Sequence, residues 1–417
     1  MSKHYALWHP FADMGAVAQD HLVLAGGEGA WVWDEDGRRY LDGSAALWYA
    51  NLGHGRPEIA EAVAQQLRTL DAYSIFGDYA NRPALDLTER LSELAPVAGS
   101  KVFLGSGGGD AVDTAAKIAR AFHAGQGQPE RVHLISRTNG YHGTHGIGTG
   151  IAGIPANVER FGAIVPDASV VAWDDAGALE AEIERVGAER VAAFFCEPVI
   201  GAGGVLPPPE GYVEAVVEIC KRHGVLFVAD CVIAGFGRLG TWFGIDRWPV
   251  EPDLITVAKG ITGGTLPLGA VVAAPHVAAP FFAEGAGAFR HGATYAGHPT
   301  ACAAANAALD LYERDGLIER GRTLERPLLD ALAPLADSPL IGEVRGGVGF
   351  LAAAQLADDV LERDPGSVAR WQRAVREHGV LVRALGKGLA ASPPLVTTED
   401  EIAQIGEAML AGLDAVK

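Results

Sequence analysis

The stretch Lys101–Ala115, KVFLGSGGGDAVDTA, decides the fold of this chain. Lys101–Leu104 predicts a short strand, glycines follow at 105 and 107–109, and the apolar residues from about Asp110 to His123 have helical spacing. A strand that runs through glycines into a helix exposes backbone N–H groups that bind anions, phosphate above all. A flexible loop with Asp110 as the N-cap fits the same residues, so the glycines alone leave both interpretations open.

Short apolar runs alternate with helical patterns through the middle of the chain. Further predicted strands are Arg131–Ile135, Val191–Cys196, Val225–Asp230, Leu254–Val257 and Leu268–Ala273. A helical pattern over Gly211–His223 lies between the second and third of these strands. Alternation of this kind predicts an α/β fold, with a largely parallel sheet covered by helices on both faces.

The C-terminal part has a different pattern. Helical patterns over His298–Arg314 and Leu317–Leu335 come first. They lead to Ile341–Leu356, a helix at Val368–His378, a strand at Val380–Arg383 and a last helix from Glu399. This mixture predicts a smaller α+β domain.

The N-terminal part is predicted to pack with this smaller domain. Trp31–Trp33 and Arg39–Leu41 flank the turn DEDG at 34–37, a pattern typical of a β-hairpin. A chain of 417 residues exceeds what one core usually organises. We therefore predict an N-terminal segment of the small domain over 1–60, a large domain over 61–315 and the C-terminal small domain over 316–417.

Composition and charge exclude several classes of protein. A formal net charge of −19, without a compact run of Lys or Arg, disfavours a nucleic-acid partner. The four cysteines have neither metal-type nor disulfide spacing, which suits a reducing cytosol and predicts no metal site. Residues 1–10 lack the apolar core of a signal peptide, and prolines interrupt the uncharged stretch Gly263–Ala283, which predicts strand and loop in a core. The prediction is a soluble, cytoplasmic protein without a membrane segment.

Two side chains that could carry chemistry follow predicted strands, where ligands bind in open α/β sheets. Asp230 ends the run Phe227–Asp230 and could pair with a cationic ring nitrogen, although a helix cap or a buried salt bridge is the commoner role of an isolated Asp. Lys259 follows Ile255–Ala258, where burial would lower the pKa of its amine and favour Schiff-base chemistry. A snorkelling surface lysine is the alternative.

A phosphate cradle, a carboxylate and a Schiff-base lysine are together what pyridoxal 5'-phosphate (PLP) requires. Further characteristic strings are spread along nearly the whole chain: Asp36-Gly37 with Tyr40–Asp42, Gly53-His54, Asp110–Ala115, Tyr141–Gly143, Glu197–Gly204, Gly235–Arg238, Ala258–Gly260, Pro267–Ala270, Thr294–Pro299 and Ser392–Leu395. On these strings the chain resembles the class III aminotransferases of PLP fold type I.

The resemblance implies a role for each matching position. Lys259 would hold PLP as a Schiff base and move a proton between the substrate Cα and the cofactor C4′, while Asp230 would pair with the pyridinium nitrogen. Tyr141 and Val232 would cover the two ring faces. The implied cofactor-binding residues are Gly108, Gly109, Asp110, Tyr141, His142, Glu197, Asp230, Val232, Lys259 and Thr294, of which Thr294 would reach the phosphate of the neighbouring subunit in a homodimer with shared active sites.

Several positions depart from the family pattern. Gly109 stands where relatives carry Ser or Thr, and losing one hydrogen bond to a charged phosphate, about 1.5–3 kcal/mol, predicts roughly 10- to 100-fold weaker cofactor binding. Cys231 replaces a usual Glu and should point away from the ring, because neighbouring side chains on a strand face opposite ways. Reduced or altered side chains at further positions predict an altered pocket: Ala234, Gly264, Thr265, Ala293 and Ala296.

Other positions bear on the substrate. Ala202 and Ala390 stand where the 2-oxoglutarate branch has a Glu and an Arg, so that carboxylate clamp is absent. Arg383 matches the mobile arginine of the amine:pyruvate and ω-amino acid:pyruvate branch, and a guanidinium forks onto carboxylates. Trp48 matches the aromatic lining of that branch's pocket. A surface salt bridge for Arg383 and ordinary core packing for Trp48 are the alternatives.

The resulting hypothesis is a ping-pong transamination from an amine or ω-amino acid to pyruvate or a similar 2-oxo acid. Two alternatives stay open at this point. One is a decarboxylase, racemase or aminomutase of the same class, and the other is a non-catalytic member with weakened cofactor binding.

Overall fold

The computed structural model of the protein describes residues 6–18 and 21–417. Residues 1–5, on which part of the expectation about a signal peptide falls, lie outside the described residues. The strands are β1 Leu24–Glu28, β2 Trp31–Asp34, β3 Arg39–Asp42, β4 Lys101–Gly105, β5 His133–Arg137, β6 Ala168–Val171, β7 Val191–Cys196, β8 Leu226–Asp230, β9 Leu254–Val257, β10 Gly269–Ala273, β11 Ile341–Arg345, β12 Ala352–Leu356, β13 Val380–Leu381, β14 Arg383–Leu385 and β15 Gly388–Ala391.

Helices occupy most of the remaining chain. They are α1 Met14–Val17, α2 Ala45–Trp48, α3 Pro57–Thr69, α4 Arg82–Leu94, α5 Gly108–Gly125, α6 Gly146–Gly150, α7 Ala176–Val186, α8 Tyr212–His223, α9 Pro275–Phe282, α10 Pro299–Arg314, α11 Leu317–Thr323, α12 Glu325–Leu332, α13 Asp358–Arg363, α14 Ser367–Glu377 and α15 Glu399–Gly412. Within the described ranges, none of these helices has both the length and the apolar character needed to cross a bilayer.

The central sheet has seven strands in the order β4-β10-β9-β8-β7-β5-β6. The run from β9 to β6 is parallel, and only β10 is antiparallel to its two neighbours. Every residue of β7 and β8 is buried, because helices cover both faces of a parallel sheet. The predicted α/β fold with a largely parallel sheet is confirmed.

Two smaller sheets join the ends of the chain. Strands β2 and β3 pair antiparallel, with Trp31 opposite Leu41, which confirms the predicted hairpin. Strand β13 pairs parallel with β3, with Val380 opposite Leu41, so the N-terminal segment packs with the C-terminal part as predicted. The third sheet has the order β11-β12-β15-β14. The division at residues 60 and 315 stays a prediction.

Three local predictions are wrong. Val380–Arg383 is not one strand, because the chain passes from one sheet to another at Val382. Leu317–Leu335 is not one helix but is interrupted after Thr323, since Pro327 has no N–H to donate and sits in the first turn of α12. Gly263–Ala283 contains helix α9 besides strand and loop, and this helix begins with a proline at its first position.

A buried guanidinium ties three parts of the chain together. Arg238 is fully buried and donates to the carbonyl oxygens of Phe350 and Pro393, each at 2.8 Å, and to Asn51 Oδ1 at 2.9 Å. Desolvation lowers the pKa of Arg238 to about 10, and no described carboxylate forms an ion pair with it. Asn51 in turn donates to the Phe236 carbonyl at 2.9 Å. The N-terminal segment and the C-terminal part are therefore held against the large sheet by neutral acceptors.

Replacing this arginine should destabilise the whole protein. Arg238→Met leaves the buried oxygens of Asn51, Phe350 and Pro393 without donors, which should cost about 3 kcal/mol or more. The measurement is the urea-unfolding midpoint followed by circular dichroism. Arg326→Met, which removes an exposed arginine paired with Asp330 on α12, is the matched control and should leave the midpoint unchanged. Equal midpoints for Arg238→Met and the control would contradict the prediction.

Candidate active site

The candidate active site is a cavity of about 580 Å³ beyond the carboxyl ends of β7, β8 and β9. Parallel strands end at the same edge of a sheet, so residues that follow different strands meet there. Eight of the predicted site residues line this one cavity: Gly108, Gly109, Tyr141, His142, Glu197, Asp230, Val232 and Lys259.

Lys259 follows β9 in an unusual backbone conformation, with φ at +49°. A non-glycine residue in this region carries strain of about 1–3 kcal/mol, which surrounding packing must offset. Burial lowers the pKa of the Lys259 amine, and the negative charges of Asp230 and Glu197 oppose that shift. No hydrogen bond or ion pair joins its Nζ to a described residue. The structure therefore presents a desolvated and unengaged amine to the cavity.

Asp230 is a buried carboxylate surrounded by donors. His142 Nδ1 donates to Oδ2 at 2.7 Å, and Oδ1 accepts from Thr256 Oγ1 at 3.0 Å and from the Val232 amide at 3.2 Å. Thr256 was not predicted, because its place beside Asp230 comes from the parallel register of β8 and β9. These donors fix the direction of the carboxylate at the cavity wall.

Glu197 organises the loop that carries Tyr141. Its Oε1 accepts from the Tyr141 amide at 2.9 Å, and its Oε2 accepts from the Gly201 amide at 3.0 Å. Burial raises the pKa of the Glu197 carboxyl, partly offset by His142 and by these amides. Glu197 thus lines the cavity and also holds the backbone of Tyr141, which lines it too.

The glycine-rich turn forms the opposite end of the cavity. Helix α5 begins at Gly108, and its N-cap is Gly107, which offers no side chain, so the interpretation of Asp110 as the N-cap is wrong. Asp110 instead accepts from the Ser106 amide at 2.7 Å and does not line the cavity. A Cβ at Gly108 would lie 2.9 Å from Val232 Cγ1, so glycine is required for this close approach. The exposed helix start is suited to an anion.

The residues at this cavity fit PLP. Three groups border one space: an amine that no described residue pairs with, a carboxylate with a fixed direction, and a helix start that no described side chain caps. These are the groups that an aldehyde, a ring nitrogen and a phosphate require. Cys231 is fully buried and does not line the cavity, whereas Asp230 and Val232 on either side of it do, in agreement with the prediction for it.

Besides Asp110, three predicted site residues do not line the cavity. Trp48 is buried in the core at 4% exposure, and the neighbouring Tyr49, which sequence reasoning missed, lines the cavity. Arg383 lies half-buried on β14, close enough for its charge to lower the pKa of the Tyr141 hydroxyl, although burial raises it overall. Thr294 is exposed and does not line the cavity of its own chain.

Comparisons with known proteins point to one family. The family model described as "Aminotransferase class-III" matches residues 14–413. The putrescine–pyruvate aminotransferase of Pseudomonas aeruginosa is 36% identical, over 95% of this chain and 91% of that protein. A chloroplastic gamma-aminobutyrate transaminase of Solanum lycopersicum is also 36% identical, over 97% of this chain and 82% of that protein.

Solved structures agree with this result. An amine transaminase from an uncultivated Pseudomonas species, in its PLP-bound form, has a TM-score of 0.94 at 37% identity and covers 99% of both chains. An (S)-enantioselective ω-transaminase from Thermomicrobium roseum has a TM-score of 0.94 at 38% identity, over 99% of this chain and 96% of that one. These matches bear out the family, the PLP fold type I and the PLP cofactor expected from the sequence.

The electrostatics of the cavity predict how Lys259 titrates. In the cofactor-free protein, its amine should titrate below the usual lysine value of about 10.4, because burial disfavours the charged form. Asp230→Asn should lower the midpoint further, because the negative charge of Asp230 raises the Lys259 pKa and this variant removes that charge. The measurement is the pH dependence of the 13Cε shift in 13C-lysine-labelled protein, with the resonance assigned by its loss in Lys259→Ala. Asp330→Asn, at an exposed carboxylate, is the control, and a midpoint that Asp230→Asn raises would contradict this account.

Proposed function

This chain belongs to the class III aminotransferases, and from that membership we propose that it transfers an amino group from an amine or ω-amino acid to pyruvate or a similar 2-oxo acid by a ping-pong mechanism. The observation that carries the proposal is the free, desolvated amine of Lys259 in the same cavity as the Asp230 carboxylate. The similar proteins named as putrescine–pyruvate, gamma-aminobutyrate and amine transaminases support this substrate range.

Lys259 and Asp230 would have different roles in the reaction. PLP, when bound, supplies an aldehyde that condenses with amines and a ring that withdraws electrons from the attached carbon. Lys259 would bind that aldehyde and, once released, accept the proton from the substrate carbon that bears the amino group. Its lowered pKa favours the neutral amine needed for both tasks. Asp230, directed by His142 and Thr256, would hold the ring nitrogen in its protonated form.

The remaining cavity residues would position the cofactor. The amides of Gly108 and Gly109 at the start of α5 would bind the phosphate. Tyr141 and Val232 would lie against opposite faces of the ring, and Glu197 near its polar edge. Asp110 would act indirectly, since its carboxylate holds the Ser106 amide.

Arg383 is the candidate for binding the carboxylate of the 2-oxo acid. Its Nε is buried and finds no acceptor in the described part of the chain, and burial lowers the pKa of its guanidinium. It lies opposite Ala390 on the neighbouring strand, and this alanine cannot offer a second cation. A lone, partly desolvated guanidinium near Tyr141 suits a single carboxylate and leaves space when the substituent is uncharged.

We also propose a homodimer with shared active sites. Four large aromatic side chains on adjacent segments are more than half exposed: Tyr73, Phe76, Tyr79 and Tyr295. The two segments are joined by a hydrogen bond of 2.9 Å from Asn81 Nδ2 to the Gly297 carbonyl. A second copy would cover this surface, and the exposed Thr294 within it would reach the phosphate of the neighbouring site.

The proposed location is the cytoplasm. All four cysteines are buried as free thiols, and burial raises the pKa of each. Free cysteines without disulfide bonds are typical of proteins in a reducing compartment such as the cytosol.

Lys259→Ala should abolish transamination. Purified protein is mixed with an amine donor, such as a 1-arylethylamine or putrescine, with and without pyruvate, and the cofactor absorbance and the carbonyl product are followed. Wild type and Lys221→Ala, which removes an exposed lysine on α8, should turn over repeatedly only when pyruvate is present and form at most one equivalent of carbonyl product per site without it, and Lys259→Ala should form none. Conversion of the amine, or of an amino acid such as alanine, that needs no acceptor and gives no carbonyl product would favour a decarboxylase, racemase or aminomutase. Activity in Lys259→Ala would contradict the mechanism.

Arg383→Leu should separate the two half-reactions. Losing a charge-assisted bond to the acceptor carboxylate should raise the KM for pyruvate about 10- to 100-fold. The KM for a 1-arylethylamine donor should change little, because this donor has no carboxylate. Arg373→Leu, an exposed arginine on α14, is the matched control. An equal rise of both KM values would indicate a structural role for Arg383 instead.

A further inference from the structure

The start of helix α5 is short of donors for an anion. Residues 107–109 are all glycine, and no side chain in the described part of the chain caps this helix end. The amide of Ser106 is already engaged by Asp110 Oδ2 at 2.7 Å, and the same carboxylate brings a negative charge to the turn. A phosphate bound here would meet backbone amides but no hydroxyl from α5 itself. A side chain from another segment could supply the missing donor.

His145 is the side chain that lies at this position. A Cβ built on Gly109 would be 3.3 Å from His145 Cγ and 3.5 Å from its Nδ1, so the imidazole lies directly over Gly109. The ring lines the same cavity as Lys259 and Asp230. No residue in the described ranges forms a hydrogen bond or ion pair with it. An unengaged N–H donor therefore borders the helix start, where the backbone amides are free to bind an anion.

The segment that carries His145 is fastened to α5. Asp113 Oδ1 accepts from the amides of Ile147 at 3.1 Å and Gly148 at 3.0 Å. Gly109 and Asp113 are four residues apart and so lie on one face of the helix. At Gly143, with φ at +88°, a Cβ would lie 2.8 Å from the Gly109 Cα, so the two backbones are in direct contact. These contacts hold the imidazole over the helix start.

We propose that His145 is a phosphate-binding residue of the cofactor site, with its ring N–H as the side-chain donor that Gly107, Gly108 and Gly109 lack. The absence of a side chain at Gly109 creates the space that the ring occupies, so the two positions act as a pair. The inference rests on the proposed function, since it assigns a ligand of the phosphate that this site would hold. An imidazole donates one N–H when neutral and two when protonated, so the contact is available in either state.

The test compares PLP with pyridoxal, which lacks the phosphate. Holoenzyme of wild type and His145→Ala is dialysed to remove cofactor, and dissociation constants for both compounds are measured by titration of absorbance and protein fluorescence. Because a hydrogen bond to a charged group is lost, His145→Ala should bind PLP about 10- to 100-fold more weakly. Its affinity for pyridoxal should equal that of wild type. His145→Gln, which keeps an N–H donor, should recover part of the loss.

Control variants separate the possible outcomes. His378→Ala, an exposed histidine at the end of α14, should leave both constants unchanged. Gly109→Ser combined with His145→Ala supplies a hydroxyl where the ring was, and should restore PLP binding. Equal weakening of PLP and pyridoxal, or no weakening of either, would overturn the role of His145. If wild type bound neither compound, the proposed function itself would fail, which is a distinguishable result.

Discussion

The parallel alignment of β7, β8 and β9 is the constraint on which the site depends. These strands end at one edge of the sheet. Glu197 directly follows β7, Asp230 is the last residue of β8, and Lys259 lies two residues after the end of β9. Residues 197, 230 and 259 are 33 and 29 positions apart along the chain, and all three line one cavity. The fully buried residues of β7 and β8 hold this alignment, because a slipped register would bury different side chains.

Because of this alignment, burial and nearby charges have opposite effects on the pKa of Lys259. Desolvation at this edge lowers the pKa of Lys259 and raises that of Glu197. The carboxylates oppose the shift of the amine, so its proton affinity is set by the balance of burial and charge. The same principle governs Arg238, whose buried charge is accommodated by neutral oxygens at the junction of the chain ends with the large sheet.

Glycines control the phosphate end of the cavity by allowing backbones to touch. Gly108 makes room for Val232, and Gly143 meets the backbone at Gly109. The reduced side chain at Gly109, which the sequence suggested as a loss of cofactor affinity, also admits the ring of His145. Under the proposal for His145, a neighbouring segment supplies the donor that position 109 lacks.

The sequence by itself determined the features that depend on neighbouring residues. Strand and helix periodicity, the hairpin around 34–37, and the positions of Asp230 and Lys259 at strand ends all follow from local pattern and were predicted. Only the tertiary structure decided contacts between distant segments. Examples are Thr256 beside Asp230, Tyr49 instead of Trp48 on the cavity wall, and the transfer of the chain between two sheets at Val382. The physical reason is that the periodicity of apolar side chains indicates which face of a strand or helix is buried. Strand register and helix packing then determine which distant residues contact that face.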